Sequence, residues 1–169
     1  APRAKAEARQ HGDGRSRRAP YLEWSRAGWL ELTDGASIDY RFIRARINEL
    51  ARRFDVQLIA FDPYNARHLA TELRDEDGLN LAEFRQGSLS MNEPVKMLLR
   101  CLASGKLRHD GNPLLRWQAS NLCCKRDPAG NLKPDKARSA DKIDGMVASI
   151  MALAGAALTP EQEPEVHLL

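Results

Sequence analysis

The chain has 169 residues, enough for one domain with a real core, and its 43% apolar and 29% charged content is that of an ordinary globular protein. No run of 18 apolar residues occurs, which excludes a membrane-spanning helix. Three cysteines, Cys101, Cys123 and Cys124, suit neither a disulfide framework nor a zinc site and point to a reduced, cytosolic protein. The net charge of +3 is uneven: residues 1–18 hold six bases and two acids, and the rest holds 20 bases and 21 acids, so the body of the chain is close to neutral.

Residues 1–19 have no apolar periodicity and are expected to form a flexible basic arm. They do not begin with Met and do not read as a signal peptide, because no apolar stretch follows the charges. Pro20 opens a short helix, Tyr21 to Ala27, ended by Gly28. Trp29 to Thr33 alternates apolar and polar residues, which predicts a short strand. Asp39 caps a helix over 40–54, where Phe42, Ile43, Ile47, Leu50, Ala51 and Phe54 form one apolar stripe. Val56 to Phe61 is almost wholly apolar and reads as a strand buried on both faces. Asn65 is placed to cap a helix over 66–76, Gly78 ends it, and Leu79 to Phe84 is a second strand. Helix alternating with strand predicts parallel pairing through crossovers.

Ser90 is placed to cap a helix over about 91–104, and Lys106 to His109 reads as a short edge strand. Pro113 starts a helix to about Asn121. Asp127-Pro128-Ala129-Gly130 has the residue order of a type I turn and predicts a hairpin between 122–126 and 131–135. The last helix, about 140–157, is apolar on more than one side, and the tail beyond it, 158–169, is expected to fray. There is no phosphate-binding GxxxxGK[ST] loop and no GxGxxG after a strand.

Asp62 stands at the C-terminal end of the apolar strand, the edge where α/β sheets build their sites. Asp141 and Asp144, three residues apart, would share one face at the start of the last helix. Carboxylates converging from separate elements suit hard cations such as Mg²⁺ or Mn²⁺, and a pair of such ions can hydrolyse a phosphodiester. The loop Lys133 to Ser139 runs into that helix, and its cations, Lys133, Lys136 and Arg138, are placed to hold a DNA backbone. The residues alone leave a second reading open, in which Asp62 caps the next helix, Asp144 is a first-turn charge and the loop is an ordinary charged surface.

A series of blocks then arrives in a recognisable order: Pro20-Tyr21-x-x-Trp24, Gly28-Trp29-Leu30, the strand ending Phe61-Asp62, Gln86-Gly87, Ser90-Met91, Gly105 to His109, Asn112-Pro113-x-Leu115-x-Trp117-x-x-Ser120-Asn121, Lys133 to Lys136, and Lys142-Ile143-Asp144-Gly145. Over residues 19–155 or so the chain resembles the C-terminal nuclease domain of the large subunit of tailed-phage terminases. The resemblance implies an α/β, RNase H-like mixed sheet flanked by helices over residues 20–157. It also implies a metal-dependent endonuclease that cuts concatemeric viral DNA in the host cytoplasm. Asp62 matches the family's second-strand acid and Asp144 the acid of its C-terminal helix, with Asp141 in an accessory position. The resemblance further implies Mg²⁺ or Mn²⁺ in a two-metal site, and double-stranded DNA, the terminase small subunit and the portal as partners. The family's first catalytic Asp lies on the first strand of the sheet, upstream of the matched region. The expectation is therefore a sheet lacking its first strand or strands, with a catalytically incomplete DNA-binding or assembly module as the alternative function.

Overall fold

The computed structural model of the chain describes residues 1–11 and 19–158. The expected frayed tail lies outside them, apart from Leu158. Within the stretch expected to be a flexible arm, Arg3–His11 forms a helix, α1, with Ala6 fully buried; residues 12–18 lie outside the described residues. Gln10 Oε1 of α1 accepts from the N–H of Leu22 (3.2 Å), which opens α2 (Tyr21–Arg26). Tertiary contacts of this kind hold a helix that periodicity could not announce.

Trp29 to Thr33, expected as a strand, makes only an isolated bridge from Thr33 to Pro2. The N–H of Trp29 bonds back to the end of α2 (2.8 Å), so no ladder forms. Next come α3 (Tyr40–Arg53), capped as expected by Asp39, whose Oδ1 accepts from the N–H of Arg41 (2.9 Å), and β1 (Ile59–Phe61). Asn65 adopts φ 58° within the turn that leaves β1 and does not cap the following helix; that helix, α4 (Arg67–Thr71), runs into a π-helical turn over Glu72–Glu76. The strand β2 (Leu81–Glu83) pairs parallel to β1, with Ala60 opposite Ala82, as the alternation of elements predicts.

The second half of the described chain contains α5 (Ser88–Ala103), α6 (Pro113–Asn121), the strands β3 (Cys124–Arg126) and β4 (Leu132–Pro134), and α7 (Asp144–Leu158). The cap of α5 is Gly87, earlier than the Ser90 expected. Lys106 to His109 is not a strand: the N–H groups of Lys106 and Leu107 both donate to the Cys101 carbonyl at the end of α5 (2.9 and 3.3 Å). The hairpin forms as the turn residues dictate. Gly130 donates to the Asp127 carbonyl (2.9 Å) at φ 83°, a value only glycine adopts at little cost.

The core lies between α5 and α7. Met91, Val95 and Leu98 meet Ile143, Met146, Val147, Ile150 and Met151, and Ala60, Phe84, Leu115 and Leu132 close around them. A separate aromatic cluster joins α2 to α6, with the Tyr21, Trp24 and Trp117 rings 5.4–6.0 Å apart in edge or tilted contact. The architecture is α/β, but β1, expected to be buried on both faces, is only half-buried, and its sheet contains two strands among the described residues.

Candidate functional site

A groove of about 840 Å³ lies between β1 and α7. All seven consecutive residues from Val56 to Asp62 line it. Successive side chains of a strand point to opposite faces, so a groove touching every one of them follows the strand's edge. β1 pairs with β2 on one edge, and no strand pairs with its other edge among the described residues. The opposite wall is α7, through Val147, Ala148, Met151 and Gly155. A Cβ at Gly155 would meet Leu58 Cδ2 at 3.6 Å, so the helix and the strand approach closely there.

Asp62, Lys136 and Asp144 all line this groove and are its charged residues among those described. Asp62 arrives there because β1 ends on it and the chain turns at Pro63. Its Oδ1 accepts from the N–H of Tyr64 (3.0 Å), and Oδ2 has no partner among the described residues. Asp62 does not cap the following helix, whose N-cap is Ala66; the Tyr64 bond is a local turn contact that occupies one oxygen only. Asp144 is the first residue of α7, where the positive end of the helix favours a carboxylate. Its side chain is 68% exposed, and its one ion-pair partner among the described residues is Lys136, with Nζ 3.8 Å from Oδ1.

The backbone at Asp144 is braced from three sides. Gln118 Oε1 of α6 accepts from the N–H of Gly145, and a Cβ at Gly145 would come within 2.8 Å of that oxygen, so a side chain there would displace Gln118 and break the bond. Asn121 Nδ2, on a buried side chain, donates to the Lys142 carbonyl (3.2 Å). Asp141, expected on the helix face beside Asp144, precedes the helix instead. Both of its oxygens accept from Arg9 Nη1 of α1 at 2.7 Å, Oδ1 also accepts from the N–H of Lys142, and its side chain is 2% exposed. Tyr21 shares this field: burial pushes its phenol above the ordinary range, Arg9 opposes this, and Asp141 and Asp144 add to it.

The predicted cations divide into groups. Lys136 faces both the Asp62–Asp144 groove and a smaller cavity of about 240 Å³ that Lys133, Lys125 and Asp135 also line. Arg138 borders neither and lies with Nε 3.8 Å from Asp135. Asp135 is an anchor that the sequence reading did not select. It is nearly buried, accepts from the N–H of Ala137 (3.1 Å), and has Lys125 Nζ at 3.6 Å. Burial pushes its carboxyl up, but the N–H groups of Ala137 and Arg138 and the charges of Lys125 and Arg138 outweigh that and hold it below the usual range. An Asp two residues before its donor is an Asx-turn signature, so Asp135 was legible in principle. Arg9, 132 residues from its partner, left no local signal.

Asp62 and Asp144 are hard oxygen donors on one groove and suit a divalent cation of the Mg²⁺ or Mn²⁺ kind. Among the described residues no third acid, His or Cys joins them in a metal-holding group. The donor chemistry fits, and the set is incomplete.

A sequence profile described as "Terminase large subunit, endonuclease domain" matches residues 2–160. The chain belongs to the terminase large subunit family, endonuclease domain. It is 40% identical over 141 residues to the "Terminase, large subunit" of Enterobacteria phage HK97, covering 82% of this chain and 28% of that protein. It is 37% identical over 145 residues to "Protein YmfN" of Escherichia coli (strain K12), covering 85% of this chain and 31% of the relative. The crystal structure of the HK97 bacteriophage large terminase matches with a TM-score of 0.82 and 38% identity, over 92% of this chain and 32% of that one. The terminase nuclease fold, RNase H-like, is therefore the fold of this chain. The chain spans about a third or less of the length of these relatives. No helix among the described residues of this terminase domain is long and apolar enough to cross a membrane.

Proposed function

We propose that this terminase domain is a metal-dependent endodeoxyribonuclease that hydrolyses phosphodiester bonds of concatemeric viral double-stranded DNA during packaging in the bacterial host cytoplasm. The observation that supports the reading is that Asp62 and Asp144, from a strand end and a helix start, line one groove in a chain of the endonuclease family. Mg²⁺ or Mn²⁺, two ions in the intact domain, would supply an activated water and neutralise the leaving oxygen. Asp62, through its free Oδ2, and Asp144 would hold the metal. Lys136, beside Asp144, would orient a DNA phosphate against it, and Lys133 and Arg138 would contact the flanking backbone. Asp141, committed to Arg9, is assigned to bracing the start of α7 and not to metal binding. The remaining acid would come from a further strand of the intact protein, added on the unpaired edge of β1. The terminase small subunit and the portal would be the partners of that intact protein.

A second reading has an observation in its favour. Among the described residues only two acids face the groove, and on that set the chain alone would bind DNA or assemble without cutting it. Nicking of supercoiled plasmid with Mn²⁺ separates the two. The nuclease reading expects cutting that EDTA stops and that Asp62→Asn and Asp144→Asn each abolish while far-UV circular dichroism stays unchanged. No cutting by a folded chain that still retards DNA, with retardation falling steeply as salt rises, would leave the binding module.

A further inference from the structure

A second groove, of about 530 Å³, lies on another side of α7. Its floor is apolar: Leu98 and Leu102 of α5, Leu115 of α6, and Met146 and Leu153 of α7. Residues 146, 149 and 153 of α7 face it, whereas 147, 148, 151 and 155 face the Asp62–Asp144 groove. At 3.6 residues per turn these are different stripes of one helix, and only the small residues Ala152 and Ala156 border both grooves. The floor is incompletely covered. Leu102 is 53% exposed and Leu107, on the loop between α5 and α6, is 37% exposed.

The rim has one sign of charge. Arg108 and Arg116 line it, both exposed and neither in an ion pair among the described residues. Among the described residues no acid lines the groove. The one acid of the rim loop, Asp110, has its Oδ1 engaged by the N–H of Asn112 (3.0 Å). Two unpaired guanidinium groups over a leucine floor complement a ligand with apolar side chains on one face and carboxylates beside them. A nucleic acid would satisfy the arginines but would leave the leucines in water.

We infer that this groove is a protein-docking surface that takes an acidic amphipathic helix of a partner polypeptide, its apolar face on Leu102, Leu115 and Leu153 and its acids on Arg108 and Arg116. The surface is independent of the chemistry at Asp62 and Asp144, because it uses a different face of α7. It adds to a terminase domain a protein contact that leaves the DNA groove open.

The test uses the whole 169-residue chain and a fluorescein-labelled synthetic helix of about 18 residues, five turns, with Leu on one face and Glu on the other. Fluorescence anisotropy should rise and saturate with the Glu peptide and not with its Lys counterpart. Leu102→Glu, at a half-exposed position, and the exposed pair Arg108→Glu/Arg116→Glu should each weaken binding by about tenfold or more, with circular dichroism unchanged. Equal binding of both peptides, or a Leu102→Glu variant that binds as well as the parent chain, would overturn the proposal. Loss with the arginine pair alone, together with displacement by duplex DNA, would overturn it in favour of a phosphate patch. A dimer in sedimentation velocity that Leu102→Glu dissociates would overturn it in favour of a second copy as the occupant.

Discussion

The two halves of this domain are held together by different forces. Around α5 and α7 the apolar stripes meet each other, and Ile143, Ile150 and Met91 are at most 2% exposed. Around α3 and β1 they do not. The stripe of α3 contains no buried residue, Phe42 and Phe54 are exposed, and β1 has one bare edge. What ties α3 to the rest is polar. Arg44 bonds Asp77 through Nε and Nη2 (2.7 and 2.6 Å), reaches Glu76 (2.8 Å), and is backed by Asn48 on Asp77 (2.8 Å). The same amphipathic pattern therefore gives a core in one place and a half-covered face in the other. The periodicity of a helix states which face is apolar, not whether anything covers it.

The comparison is broken most severely by truncating matched positions on the two sides. Ile150→Ala, in the closed core, is expected to cost about 3–4 kcal/mol in urea unfolding, whereas Ile47→Ala on α3 should cost about 1 kcal/mol, because its site is open and leaves little cavity. Equal costs would mean that the α3 face is covered in solution.

A smaller effect is expected at the contact that ties α1 to the start of α7. Arg9→Ala should lose about 2–3 kcal/mol, since it strands a carboxylate that is almost fully buried. The Arg9→Ala/Asp141→Asn double variant should recover part of that loss, as two members of one pair are not additive. If Asp141 were free to ligate metal, Arg9→Ala would instead be nearly neutral for stability.

The smallest effect is a pH dependence on the α3 side. The side-chain hydrogen bonds from Arg44 and Asn48 hold the Asp77 carboxyl at about 2, below its ordinary 3.8. A depressed folded pKa stabilises above the unfolded value and loses that contribution as pH falls through the folded one. The stability difference between the parent chain and Asp77→Asn should therefore be constant above pH 5 or so, and should shrink between about pH 4 and pH 2. A difference that is flat over that window would remove Asp77 from the tie.

Much of the site was readable because it depends on local chemistry. An apolar run stopped by Asp62 and Pro63 marks a strand end, and the turn Asp127 to Gly130 marks the hairpin that leads toward α7. The misses share one cause. Trp29 to Thr33 and Lys106 to His109 alternate like strands, but a strand exists only when a neighbour takes its hydrogen bonds, and theirs go to α2, to Pro2 and its neighbours, and to α5. Asp141 sits at helical spacing from Asp144, but Arg9 takes both of its oxygens before the helix begins.

By itself the sequence determined the helices that carry their own apolar stripe, the hairpin turn, and the places of Asp62 just after a strand and Asp144 at a helix start, because propensity, turn geometry and period act within a few residues. Only the tertiary structure decided that those two acids share a groove with Lys136, that Asp141 belongs to Arg9, and that β1 has an unpaired edge. Each of these depends on groups distant along the chain, whose meeting is fixed by the packing of whole elements and leaves no mark in the local sequence.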